Sequence, residues 1–231
     1  MKIVAPSYQV LDRLDDQSLA ERIEYCGRIC YKSEDRITPE SAQPFVKKMA
    51  EHGHNSVLEM GAVTLEVVCP DRATATAFFH LQPRYVQIDR DGSRLLLTAS
   101  IRAFRELLLF HPESVIVQGI CGLLRERHPY FFAGVPETGG DGAELLSVRK
   151  VPLPEVEQLP TSRLVRHRHL AVKFIVNRAV THEMVRHRPC SFLQESQRYC
   201  RYSADKFGNE VSFIRPMFFP QGSEEYSLLE Q

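Results

Sequence analysis

The sequence predicts an α+β fold. Apolar residues recur at helical spacing in some segments, as at Leu19, Ile23, Cys26 and Cys30. Other segments are short, apolar and β-branched, as in GAVTLEVV at 61–68 and HLAVKFIV at 169–176, and read as strands. The composition, 43% hydrophobic and 25% charged with no low-complexity tract, belongs to an ordinary globular chain able to bury a sizeable core.

Taken in order, residues 1–10 read as a short strand and a turn at Pro6-Ser7, and residues 17–31 as an amphipathic helix. The Cys26/Cys30 pair, one turn apart, fits a buried stripe better than half of a metal site. Thr38-Pro39-Glu40-Ser41 reads as a helix start with Thr38 as cap, the helix running to about Glu51 and ending at Gly53. After the strand at 61–68, residues 69–168 differ from their surroundings and read as an inserted subdomain or loop region within one domain spanning 1–231. Helices are expected there at 99–110 and 113–127, and loop or linker in VPETGGDGAE and VPLPEVEQLP. Asn177 is a good cap for a helix running to about His187, and Pro189 forces the chain out of helix within Arg186-His187-Arg188.

Bulk charge is balanced, 29 basic against 29 acidic side chains, which gives no global bias towards nucleic acid or membranes. No apolar run reaches a membrane span, the N-terminus does not read as a signal peptide, and the six scattered cysteines read as reduced thiols; together these predict a cytoplasmic protein.

The charge is not evenly spread. From Arg163 to Arg201 there are nine arginines and lysines and two acids, a net +7 (nine minus two). Such a cluster is either a solvated surface or a site for an anion, which arginine's planar fork grips bidentately. Arg178, His182 and Arg186 share one helix face, and PCSFLQESQRY then supplies hydroxyls, amides, an acid and another arginine. This set suits a ligand with a phosphate at one end and an amide-like ring at the other. A nucleic-acid site would interleave more aromatics with the basic residues, and a metal site at His52/His54 would flank a helix end at Gly53. Both are disfavoured, so no metal is expected.

The same residues resemble the flavin-dependent thymidylate synthase (thymidylate synthase complementing protein) family. Its pattern R-H-R-x-x-S-x-N-E-x-S-x-R-Y is met by Arg186-His187-Arg188, Ser191, Ser196 and Arg198-Tyr199, with Leu193 in place of the usual Asn and Gln194 in place of Glu. A second triplet, Arg166-His167-Arg168, lacks the following serine, so the longer pattern carries the specificity. His54, Ser56 and Glu59 match the family's H-x-S-x-x-E element, with Met60 where a second His is usual. The resemblance covers about residues 1–67 and 169–218.

It implies a mainly antiparallel sheet flanked by helices. It also implies an enzyme that makes dTMP from dUMP with methylenetetrahydrofolate, FAD and NADPH, as a homotetramer with shared active sites. By matched position, His54, Ser196 and Arg198 are expected in the catalytic site. Ser56, Glu59, Arg186, His187, Arg188 and Gln194 are expected at FAD, and Glu183, Arg186, Gln194, Glu195, Ser196 and Arg198 at dUMP. Family members carry a further C-terminal helical region with an arginine that helps activate dUMP. The sequence stops at Gln231, which leaves the alternative of a non-catalytic flavin- or nucleotide-binding relative, or a fragment. Thr98 to Arg105 loosely resembles part of that region, and the favoured reading is an insertion found in some members.

Overall fold

The N-terminal part builds a helical layer because its apolar residues repeat with the helix. The structure, a computed structural model, describes residues 2–136, 145–197, 200, 202 and 211–230. Strands β1 (Lys2–Val4) and β2 (Ser7–Val10) precede helix α1 (Leu19–Cys30). This helix starts at a reciprocal cap: the Ser18 N–H donates to Glu21 Oε2 at 2.8 Å and the Glu21 N–H donates to Ser18 Oγ at 3.3 Å. Its Ala20, Ile23, Cys26 and Cys30 are buried, so the cysteines do form part of an apolar stripe. It ends at Tyr31-Lys32, where Lys32 takes a left-handed φ of 45°.

Helix α2 (Ala42–Glu51) begins later than expected. Thr38 is not its cap. The Thr38 N–H donates to Ser41 Oγ (2.9 Å), whose hydroxyl is shared between the Thr38 carbonyl and Glu24, so residues 38–41 form a turn ahead of the helix. Gly53, at φ 69°, reverses the chain after α2, and the His54 N–H donates back to the Met49 carbonyl at 2.9 Å. That reversal delivers the short helix α3 (Asn55–Leu58).

The sheet strands and their helices follow: β3 (Ala62–Val68), α4 (Arg72–Leu81), β4 (Val86–Asp91), β5 (Arg94–Ser100), α5 (Ile101–Phe110), α6 (Val115–Arg127) and β6 (Ser147–Lys150). The strands form one antiparallel sheet in the order β4-β5-β3-β6. Residues 69–168 thus supply β4, β5 and β6, and their Leu97, Phe104, Ile120 and Phe131 share one core with Ile23, Val46, Leu58 and Leu65. Of the loop expected at 135–144, residues 137–144 lie outside the described residues. The other expected loop is not one throughout: α7 (Leu153–Glu157) forms there, with Pro152 as its cap, Pro154 tolerated in the first turn and Val156 buried.

Helix α8 (Thr161–His167) docks on the sheet through the second RHR triplet. His167 is buried; its Nδ1 lies 2.7 Å from Thr98 Oγ1, which lies 2.8 Å from Thr64 Oγ1, and its Nε2 lies 3.3 Å from Asp89. Arg163 and Arg166 both reach Asp89 at 2.6 Å. Strand β7 (Val172–Ile175) pairs antiparallel with β2, and β1 pairs in parallel with β8 (Ser212–Ile214). Between them, Asn177 caps α9 (Arg178–Met184), its Oδ1 accepting from the Val180 N–H at 3.0 Å. This helix stops short of His187 because the chain tightens into three-residue turns, Arg186 N–H to Glu183 carbonyl at 3.1 Å and His187 N–H to Met184 carbonyl at 3.0 Å. Helix α10 (Glu224–Glu230) follows. Helices on a mainly antiparallel sheet make this an α+β fold. Among the described residues no helix is long and apolar enough to cross a membrane.

Candidate functional site

Three stretches of chain meet at a cleft of about 740 Å³. The end of α1 contributes Cys30 and Tyr31, the Gly53 reversal and α3 contribute His54, Asn55 and Ser56, and the motif segment contributes Phe192 through Gln197. Arg102 at the start of α5 and Arg178 and His182 on α9 complete the wall.

Backbone hydrogen bonds hold the motif segment in place. The Ser196 N–H donates to the Cys30 carbonyl at 2.9 Å, and the Cys200 N–H to the Ser196 carbonyl at 2.9 Å. The Gln194 N–H meets the Cys30 sulfur; burial nevertheless pushes that thiol up to about 11, so Cys30 is an inert packing group. Cys26, also pushed by burial to about 11, lies behind it.

Side chains are then fixed one by one. His54 Nδ1 lies 3.2 Å from the Tyr31 hydroxyl. Glu195 accepts from the Tyr202 hydroxyl and pairs with Lys32 at 3.5 Å, while the Lys32 ammonium stands 4.8 Å from the Tyr202 ring centre. Burial first, and then the Glu195 carboxylate, hold the Tyr202 phenol well above its ordinary range. Arg178 donates to Gln197 Oε1 and pairs with no acid among the described residues. Asn55 Oδ1 is buried without a partner among the described residues.

Of the residues expected at the site, the cleft brings together His54, Ser56, Gln194, Glu195 and Ser196. Glu59 is joined to it through Arg102, at 2.5 Å. Glu183, Arg186, His187 and Arg188 are exposed and are not on the cleft wall; Glu183 and Arg186 pair with each other at 3.2 Å. Arg198 lies outside the described residues. Sequence reasoning did not assign Tyr31, Asn55 or Arg102. Asn55 sat inside the H-x-S element and was readable there, and Arg102 fell in the Thr98 to Arg105 stretch that loosely resembles a family segment but was given no role. Arg178 and His182 were visible as one helix face but had no role.

Two arginines and two histidines thus face one glutamate in the lining, with hydroxyls and amides between them. Such a wall grips an anionic ligand bearing an amide-like ring. An α+β scaffold with a polar cleft of this size and lining is a candidate site for a nucleotide or cofactor. The model of the family described as thymidylate synthase complementing protein matches residues 10–88 and 156–230, and the chain belongs to that family. Membership gives thymidylate synthase chemistry, and so nucleotide biosynthesis, as its broad function. No curated protein sequence matches the chain.

Proposed function

We propose that the chain is a flavin-dependent thymidylate synthase that converts dUMP to dTMP, with methylenetetrahydrofolate as one-carbon donor, FAD as cofactor and NADPH as reductant. The observation that carries this reading is the meeting of His54 and Ser56 with Gln194, Glu195 and Ser196 in one cleft. These residues belong to two motif elements that the sequence keeps far apart, and the family match covers both.

The residues present fit a flavin nucleotide. The cleft, about 740 Å³, falls within the size range of cofactor sites. Among the described residues Asn55 Oδ1 has no partner and Arg178 pairs with no acid, an acceptor and a cation that suit a large, anionic, amide-bearing group. Ser56, Glu59, Gln194 and the arginines and histidine of Arg186-His187-Arg188 would hold it. When bound, the flavin supplies the hydride that completes the new methyl group.

The chain's own residues bind and orient. Gln194 and Ser196 offer an amide and a hydroxyl to the pyrimidine edge, Arg198 and Arg178 offer guanidinium groups to the nucleotide phosphate, and Glu183 and Glu195 complete the dUMP set. His54, braced by Tyr31, stands beside them as a polar group at the reacting face. The exposed Arg186, His187 and Arg188 agree with a homotetramer in which this edge completes the cleft of a neighbouring copy. Buried free thiols agree with a reducing, cytoplasmic setting.

The test is tritium release from dUMP labelled at C5, assayed on flavin-loaded protein with methylenetetrahydrofolate and NADPH. Release that depends on both co-substrates supports the reading. Folded, flavin-loaded protein that releases no tritium overturns the catalytic part and leaves a binding protein.

A further inference from the structure

Helix α1 ends in a turn that local preference would fill with glycine. Lys32 takes a left-handed φ of 45°; its N–H donates to the Ile29 carbonyl at 3.3 Å, and the Ser33 N–H donates to the Arg28 carbonyl at 3.1 Å. This pair of bonds closes a helix on a left-handed residue, a place that glycine takes without strain and lysine does not. The chain thus carries a side chain here against local preference, and that side chain reaches the motif segment. Lys32 Nζ lies 3.5 Å from Glu195 Oε1 and 4.8 Å from the centre of the Tyr202 ring, and the Tyr202 hydroxyl donates to the same Oε1.

Lys32 and Tyr202 are not lining residues of the cleft, whereas Glu195 is, between Gln194 and Ser196. They stand behind the wall and act on it through one carboxylate. The Lys32 and Glu195 side chains are 31% and 38% exposed, and an ion pair this open to water adds little to stability. What it changes is the charge of the wall. Glu195 is the only acid among the described lining residues, and a bare carboxylate there repels a phosphate-bearing ligand. Lys32 is the cation that pairs with it among the described residues. With Oε1 held from behind, Oε2 accepts from no described residue and is the acceptor that Glu195 can offer a ligand N–H.

Resting on the proposed function, we infer that Lys32 is a positioning residue for the nucleotide, acting through Glu195. It offsets the carboxylate's charge, so the phosphate is not repelled, and with Tyr202 it turns the second carboxylate oxygen towards the pyrimidine N–H. The lysine at the left-handed end of α1 is thereby explained by the site and not by the helix.

The experiment titrates flavin-loaded protein with dUMP at low and at high salt. It compares the unaltered protein with Lys32→Arg, Lys32→Gly, Glu195→Gln and the double variant Lys32→Gly/Glu195→Gln, each checked for native circular dichroism. Lys32→Gly removes the ammonium and relaxes the left-handed backbone, so a loss of affinity is not a loss of the turn. Lys32→Met repeats the measurement with the apolar stem kept. The expected result is dUMP affinity weakened by about fivefold or more in Lys32→Gly at low salt, as for one uncompensated charge near the phosphate. Salt should recover part of that loss, and Lys32→Arg should bind within about twofold of the unaltered protein. In the Glu195→Gln background the same glycine substitution should change affinity by less than about twofold, because no carboxylate is left to offset. Equal losses in both backgrounds, or natively folded Lys32→Gly that binds dUMP within about twofold of the unaltered protein, overturn this inference alone. Unaltered protein that does not bind dUMP overturns the proposed function and this inference with it.

Discussion

Arg105 is the buried cation that joins α5 to α2 and to the 131–133 turn, and replacing it by Met is a sharp test of the packing described above. Its side chain lies one turn beyond Arg102 and is 6% exposed. Its Nη1 donates to the Phe131 carbonyl and, at 3.0 Å, to the Ala133 carbonyl, and its Nη2 donates to the Ala50 carbonyl at 3.3 Å. Burial, and secondarily Arg125, lower its pKa, the mark of an incompletely compensated charge. Arg105→Met keeps most of the aliphatic volume and removes all three bonds. At about 1–1.5 kcal/mol per bond the loss is about 3–5 kcal/mol. Relief of the desolvation penalty brings this to about 2–4 kcal/mol. For a chain of this size that lowers Tm by roughly 4–16 °C. Urea unfolding followed by far-UV circular dichroism should show a lower midpoint at unchanged slope. A variant as stable as the unaltered protein would refute the assignment of Arg105 as the tie between α5, α2 and the 131–133 turn.

Acid should destabilise the fold in two windows. His167 and His128 have lowered pKa values, chiefly through burial, so the native state keeps them neutral. Their stabilisation is fully present above the unfolded value of about 6.5 and is lost as pH falls through the lower folded values. Burial raises the Asp89 carboxyl, but the Arg163 hydrogen bond, the His167 imidazolium once acid has protonated it, and the Arg166 and Arg163 charges outweigh it and leave a lowered pKa, so a second loss follows below about pH 4. Stability measured from pH 8 to 3 checks this; the upper loss should shrink in His167→Gln, and an unchanged profile would count against a neutral buried His167. Thiol labelling of native protein at pH 8 should modify the exposed Cys190 and spare Cys26, Cys30, Cys69, Cys121 and Cys200, which are buried, with Cys121 pushed by burial to about 12. Rapid labelling of Cys26, Cys30 or Cys200 would contradict the packing of α1 against residues 194–197 and Cys200. Asn177→Ala should cost about 1 kcal/mol through loss of the α9 cap, read as faster amide exchange in α9.

How much of this was legible in the sequence depended on where the signal lay. Helix α1 was readable because its apolar stripe and the Ser18/Glu21 cap agree, and Asn177 because a cap is a local device. Thr38 misled because a turn centred on Ser41 uses the same residues as a helix start. Strand β4 was missed because VQIDRD, at the sheet edge, carries few apolar residues and leans on β5 for its pairing. The site followed the same division. Motif spacing pointed to His54, Ser56 and Gln194 to Ser196, but the hydrogen bond from Ser196 to Cys30 that joins them is a long-range contact with no local trace. Arg102 lay in a stretch whose likeness to the family was loose, and its pairing with Glu59 had no local trace, because Glu59 lies on another element and periodicity records only the pair with Glu106.

The proposed function requires nucleotide to bind in the cleft between α1, α3 and residues 192–197. The most direct measurement is an X-ray difference map from crystals of flavin-loaded protein soaked with dUMP. Nucleotide density is expected in that cleft, in contact with Gln194 and Ser196. Density for dUMP at another place, or an empty cleft at saturating nucleotide, would contradict it.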